Sequence, residues 1–170
     1  MSGVLVVSIS LGGAVLLLLV MVALARRLER RRGLEVLAGF RGRRVLGMTS
    51  NANFFGRESQ GPGQLRGNGV LVLTPETLYF EMWAPRRAHE IPVAAIREVG
   101  IRKSHLGKTR FRPLLHVTFT DERGREDSSA WLLRDVETWR AALEKLAVEQ
   151  VGRLPGEADR RVGRSSEARR

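Results

Sequence analysis

The stretch Gly69–Trp83, GVLVLTPETLYFEMW, decides how the folded part of this chain is read. Val70–Leu73 and Leu78–Trp83 predict two short strands. Thr74-Pro75-Glu76-Thr77 supplies the turn between them, with proline at the second turn position, where its fixed φ fits. Along the second strand Leu78, Phe80 and Met82 share one face, while Thr77, Tyr79 and Glu81 share the other. That period of two marks a half-buried strand.

Working outward, the same pattern recurs with short connections. Residues 44–50, RVLGMTS, predict a first strand, and 51–69, NANFFGRESQGPGQLRGNG, are rich enough in Gly, Asn and Ser to predict a long loop. Downstream, Ala88–Ile91 and Ile96–Ile101 suit strands, Leu115, Val117 and Phe119 alternate with polar neighbours, and Ser128–Leu133 completes the set after a turn at Asp121–Gly124. Asp135 can cap a helix in which Val136, Trp139, Leu143 and Leu146 recur at helical spacing. The expected fold class is therefore mainly β with a C-terminal α-helix: a small β-barrel of about seven strands, its open end capped by the helix stripe.

The front of the chain obeys different rules. Residues 1–25 carry no charged side chain, and 4–25 are apolar except for Ser8, Ser10, Gly12 and Gly13. As a helix this run measures roughly 33 Å, enough to cross a hydrocarbon core of about 30 Å. Ala23-Leu24-Ala25 imitates the cleavage site of a signal peptide. However, the first residues lack a base and the apolar run exceeds a signal core, so the reading is a transmembrane helix over 4–25. Arg26, Arg27, Arg30, Arg31 and Arg32 follow at once and would lie against the headgroups, placing the C-terminal side in the cytoplasm. The expected organisation is a transmembrane helix over 4–25, a basic juxtamembrane segment over 26–43, a β-domain over 44–150 and a disordered basic tail over 151–170. The protein is then expected to be integral to the cell membrane, single-pass.

Charge supports this division. Of the net +11, the segment 26–44 contributes eight Arg against two Glu, whereas 45–150 holds fifteen bases against thirteen acids. A nucleic-acid-binding domain concentrates positive charge on its folded module, so no nucleic-acid partner is expected; the Arg-rich flanks are the only place that alternative could reside. The bases are 26 Arg to 3 Lys, which reads as GC-rich coding bias. Without cysteine, disulfides and thiolate metal sites are excluded.

Four segments of the β-domain, GNGVLVLTPETLYF, HEIPVAAIREV, LLHVTFT and SSAWLLRDVETWRAAL, together resemble the pleckstrin-homology (PH) superfold, and within it the GRAM-like branch. The resemblance covers roughly residues 44–148 and rests on structural motifs. It implies a binding or scaffolding module at membranes, with anionic lipid headgroups or a protein as partner, and Trp131 and Trp139 in the core. The usual inositol-phosphate site of the family needs several bases in the first strands and their loop; here that loop offers only Arg57 and Arg66.

The candidate ligand-binding segment is instead RKSHLGKTRFR, which places Arg102, Lys103, Lys108, Arg110 and Arg112 around His105 in what reads as a hairpin loop. Gly107-Lys108-Thr109 imitates the end of a phosphate-binding loop, but Arg102 stands where its first glycine is required. His89, His105 and His116 lie on separate elements without metal-ligand spacing. Phe54-Phe55 is an aromatic pair in a polar loop, suited either to plugging the core or to meeting a bilayer or partner. No local motif carries a nucleophile or a cofactor, so neither an enzyme nor a cofactor is expected; a site assembled from distant residues is the alternative.

Overall fold

The computed structural model describes the backbone of residues 2–151 and the side chains of 13–109 and 111–150. The chain divides into a helical unit ending at Arg41 and a β unit beginning at Gly42. The expected tail, from residue 152 onward, lies outside the described residues.

The helical unit is one continuous helix, α1 (Ser2–Ala38), of 37 residues, or about 55 Å. It runs through the apolar segment and on through the arginine run. From Val15 to Val20 every side chain is more than half exposed, and Met21 and Leu24 are too. Arg26, Arg27, Arg30, Arg31 and Arg32 are all exposed. Among the described residues no helix is long and apolar enough to cross a membrane; the side chains of residues 4–12, the first part of the expected span, lie outside them.

The β unit is a seven-stranded antiparallel sheet followed by one helix. Its strands are β1 (Gly47–Arg57), β2 (Gly67–Leu73), β3 (Thr77–Trp83), β4 (Arg86–Pro92), β5 (Ile96–His105), β6 (Lys108–Thr120) and β7 (Glu126–Leu132), in the order β4-β3-β2-β1-β7-β6-β5. The opening hairpin is as expected: Leu73 pairs Leu78 and Leu71 pairs Phe80. Its turn is closed by the Thr74 amide donating to the Thr77 carbonyl at 2.9 Å, while Thr74 Oγ1 accepts from the amides of Glu76 and Thr77. The final helix, α2 (Val136–Val151), buries Val136 and Leu143 and lays Trp139 and Leu146 against the core. Its stripe is the one read from the sequence, and the order of seven strands then one helix is the expected one.

One expectation fails here. Residues 51–57 are not loop but the second half of β1, which pairs with β2 through Phe54 and with β7 from Asn53 to Arg57. The turn-forming residues misled because this strand is irregular. Phe54 pairs Trp131 and Gly56 pairs Ala130, leaving Phe55 as an extra residue in a β-bulge. The bulge shifts the strand's parity by one residue. Phe54 faces the main core with Phe80 and Trp131, Phe55 is fully buried on the outer face with Leu114 and Ala130, and Arg57 is re-aimed inward opposite Ser129. Neither phenylalanine is available to a bilayer or a partner.

Candidate binding face

The arginines at the position of the inositol-phosphate site that the resemblance implies, and the bases of the candidate ligand-binding segment, are built in opposite ways. Where β1 pairs β7, Arg57 is consumed internally. Its Nε forms a close ion pair with Asp127, whose carboxylate also accepts from Ser59 Oγ at 2.7 Å and from the amides of Ser59 and Ser128 at 2.9 and 2.8 Å. Burial alone would raise the Asp127 pKa, but the hydroxyl, guanidinium and amide donors outweigh it and hold the carboxyl below its usual range. The Arg57 guanidinium also lies 5.3 Å from the centroid of Phe119. Arg66 is no freer, since its guanidinium stacks 4.0 Å from the Phe55 ring centroid. The departure from the inositol-phosphate pattern is therefore deeper than a shortage of bases, because both arginines already have partners.

His89 packs beside this pair. Its ring touches Phe54, Phe119 and Trp131, and its Nε2 is 3.1 Å from Ser129 Oγ. Burial, with the Arg57 charge second, pushes its pKa down to about 4, so the imidazole is neutral at physiological pH. A cavity of about 160 Å³ remains between Phe54, Phe80, Met82, His89 and Arg57.

The expected basic segment is not a loop. β5 and β6 continue into it and are joined by only Leu106 and Gly107, both at positive φ (52° and 71°), the pattern of a type I′ turn. The tip folds onto the rest of the sheet. A Cβ added at Gly56 would come within 2.9 Å of Leu106 Cδ1, and His105 Nε2 is 3.1 Å from the Gly56 carbonyl oxygen. Lys108 Nζ donates to the Gln64 carbonyl at 2.9 Å, and the Gln64 amide group donates to the carbonyls of Arg57 and Gly61. Lys108 is therefore part of the scaffold, holding the 58–66 connection to the hairpin.

Arg102, Lys103 and Arg112 remain exposed. Arg102 makes a 3.9 Å contact with Glu98, both side chains being more than half exposed. The side chain of Arg110 lies outside those described. Arg102 lines a cavity of about 530 Å³ with Glu58, His105, His116, Ser128 and Glu126, whereas Arg112 lines a different one with Asn53, Asn68 and Asp135. Arg102 and Arg112 thus line different cavities. His105 and His116, read as scattered, meet edge to face with ring centroids 5.3 Å apart, each under 10% exposed. Burial, then the nearby Arg102 charge, lowers His116 to about 4; burial also lowers His105, against the hydrogen bond that its ring donates to the Gly56 carbonyl.

The sequence also concealed a larger bulge on β6. Arg102 pairs Leu114 and Ser104 pairs Thr109, so Lys103 alone stands opposite four residues of β6, 110–113. Phe111 lies in this bulge in the left-handed region (φ 54°) and is 95% exposed. Thr109 Oγ1 braces the bulge, donating to the Lys103 carbonyl at 2.8 Å and accepting from the Phe111 amide at 3.1 Å. Missing from the sequence reading were this phenylalanine and the Arg57–Asp127 pair. Asp127 could have been found, because it shares the inward parity of Ser129 and Trp131.

No family model matches the sequence, and no curated protein matches it. Among solved structures the chain is similar to the C-terminal domain of an unknown protein from Leishmania infantum, at 19% identity and a TM-score of 0.46, covering 69% of this chain and 94% of that one. It is also similar to a chain of the 8S snRNP assembly intermediate (13% identity, TM-score 0.47, 67% and 87% covered) and to the Vps36 N-terminal PH domain (14%, 0.47, 66% and 84%).

Proposed function

We propose that this chain is a single-pass protein of the cell membrane whose cytoplasmic PH/GRAM-like unit is a binding or scaffolding module, not an enzyme, for a lipid or protein partner at the inner face. One observation carries the reading: in α1 the exposed apolar run ending at Ala25 passes without a break into five exposed arginines. Exposed apolar side chains in so long a run are unfavourable in water and favourable in lipid, and the charge that follows suits the cytoplasmic headgroups. Tethering would confine the β unit near the membrane and raise its effective concentration for surface-bound partners, so that weak intrinsic affinity suffices.

Alkaline carbonate extraction of membranes tests the tether. The full-length chain is expected to stay in the pellet, and a protease added from the cytoplasmic side is expected to remove the β unit. Release of the intact chain into the carbonate supernatant, or a β unit shielded from that protease, would overturn the reading.

A further inference from the structure

We infer that the β6 bulge around Phe111 is a wedge that inserts into an anionic lipid surface, with Lys103 and Arg112 gripping headgroups beside it. The inference rests on the reading of the chain as a membrane-held binding module and names the partner that its free surface fits. Phe111 is the most exposed large hydrophobic side chain among those described, and its backbone sits in a conformation that L-residues rarely adopt. Such strain persists only where the surrounding structure enforces it, here through Thr109 Oγ1 and the four-against-one register.

Along the chain the charge flanking the ring has one sign, while Asp135 shares the cavity that Arg112 lines. No acidic residue occurs between Glu98 and Asp121, a stretch that contains Arg102, Lys103, Lys108, Arg110 and Arg112. Lys108 is held by Gln64, but Lys103 and Arg112 are exposed close to Phe111 in the chain or across the register. An aromatic ring at headgroup depth flanked by bases is the chemistry of the anionic bilayer interface. A protein-binding hot spot, by contrast, centres on an anchor ringed by further contact area. The neighbours of Phe111 in the bulge, Arg112 and Pro113, are exposed, and neither offers an apolar patch comparable to its ring. One ring and a few bases bind weakly alone, which suits a module that a second membrane attachment already holds in place.

The absence of cysteine permits a direct test. Full-length Ser104→Cys, carrying a polarity-sensitive fluorophore on the exposed face of β5, is reconstituted into vesicles of phosphatidylcholine alone or of equal parts phosphatidylcholine and phosphatidylserine. Each preparation contains nitroxide-labelled acyl chains. Quenching of the fluorophore is expected in the anionic vesicles and not in the neutral ones. Adding Phe111→Ser is expected to lower the inserted-to-free ratio about ten-fold; adding Lys103→Gln with Arg112→Gln should lower it by roughly five-fold per base.

Equal quenching in neutral vesicles, or quenching indifferent to Phe111→Ser, would overturn the wedge. So would a blue-shifted fluorophore that acyl-chain nitroxide does not quench, because that result describes burial against protein. A label at Leu18→Cys reports the tether separately. Quenching at Leu18 without quenching at Ser104 removes the wedge alone, whereas no quenching at Leu18 removes the tether while the label on β5 still reports docking.

Discussion

Arg57 and Arg102 are the same residue type in one small β unit, yet they are used in opposite ways. Where β1 pairs β7 the arginine is turned inward by a bulge, paired with a carboxylate that is almost fully buried, and laid over an aromatic ring. On the β5–β6 hairpin a larger bulge turns bases and a phenylalanine outward. The comparison teaches that the count of bases in a segment says little about ligand binding until the parity of the strand is known. A single extra residue decides whether a charge serves the core or the surface.

The largest effect should come from breaking the inward pair. Asp127→Ala leaves the Arg57 guanidinium and the amides of Ser59 and Ser128 without their acceptor, and is expected to cost about 2–4 kcal/mol in urea denaturation. A midpoint within error of the parent would mean that the inward pair is no more costly to disturb than the hairpin.

Acid should weaken the protein next. His89 and His116, with folded pKa values of about 4 against 6.5 unfolded, bind protons more readily when the chain unfolds. Stability is therefore complete above pH 6.5 and falls as pH drops towards 4, by roughly 1–3 kcal/mol per histidine. Asp127, whose pKa is held low, adds its loss only below its ordinary carboxylate range. Denaturation curves across this window should show the slope, and His116→Gln should flatten it; a slope unchanged in that variant would refute the assignment.

Smaller again is Arg66→Ala, which removes the guanidinium from the Phe55 ring and should cost about 1 kcal/mol by thermal melting. Least of all, replacing Arg102, Lys103 and Arg112 together by Gln should leave the melting temperature nearly unchanged, within about 0.5 kcal/mol, because exposed charges contribute little to folding. A marked loss in that triple variant would erase the distinction between the two regions.

Much of the fold was legible because it is locally periodic. Leu78, Phe80 and Met82 alternate cleanly, the Thr74–Thr77 turn has proline in the position its geometry requires, and Trp139, Leu143 and Leu146 recur at helical spacing. What escaped was set by contacts distant in sequence. The second half of β1, residues 51–57, reads as loop because it opens a stretch rich in glycine and asparagine, and only its pairing with both β2 and β7 makes it strand. The candidate face was legible as charge but not as geometry. Nothing local shows that Lys108 reaches Gln64, that His105 meets His116, or that four residues of β6 crowd opposite Lys103.

The hairpin tip is moored at three points: Leu106 over Gly56, His105 at the Gly56 carbonyl, and Lys108 on Gln64. A flexible loop would lose conformational entropy each time it met a target, on the order of 1 kcal/mol or more for every residue that became ordered. Here that cost is met during folding, once, so an encounter finds a rigid template already in shape. Association by such a template should be governed by collision and charge rather than by waiting for a loop to settle.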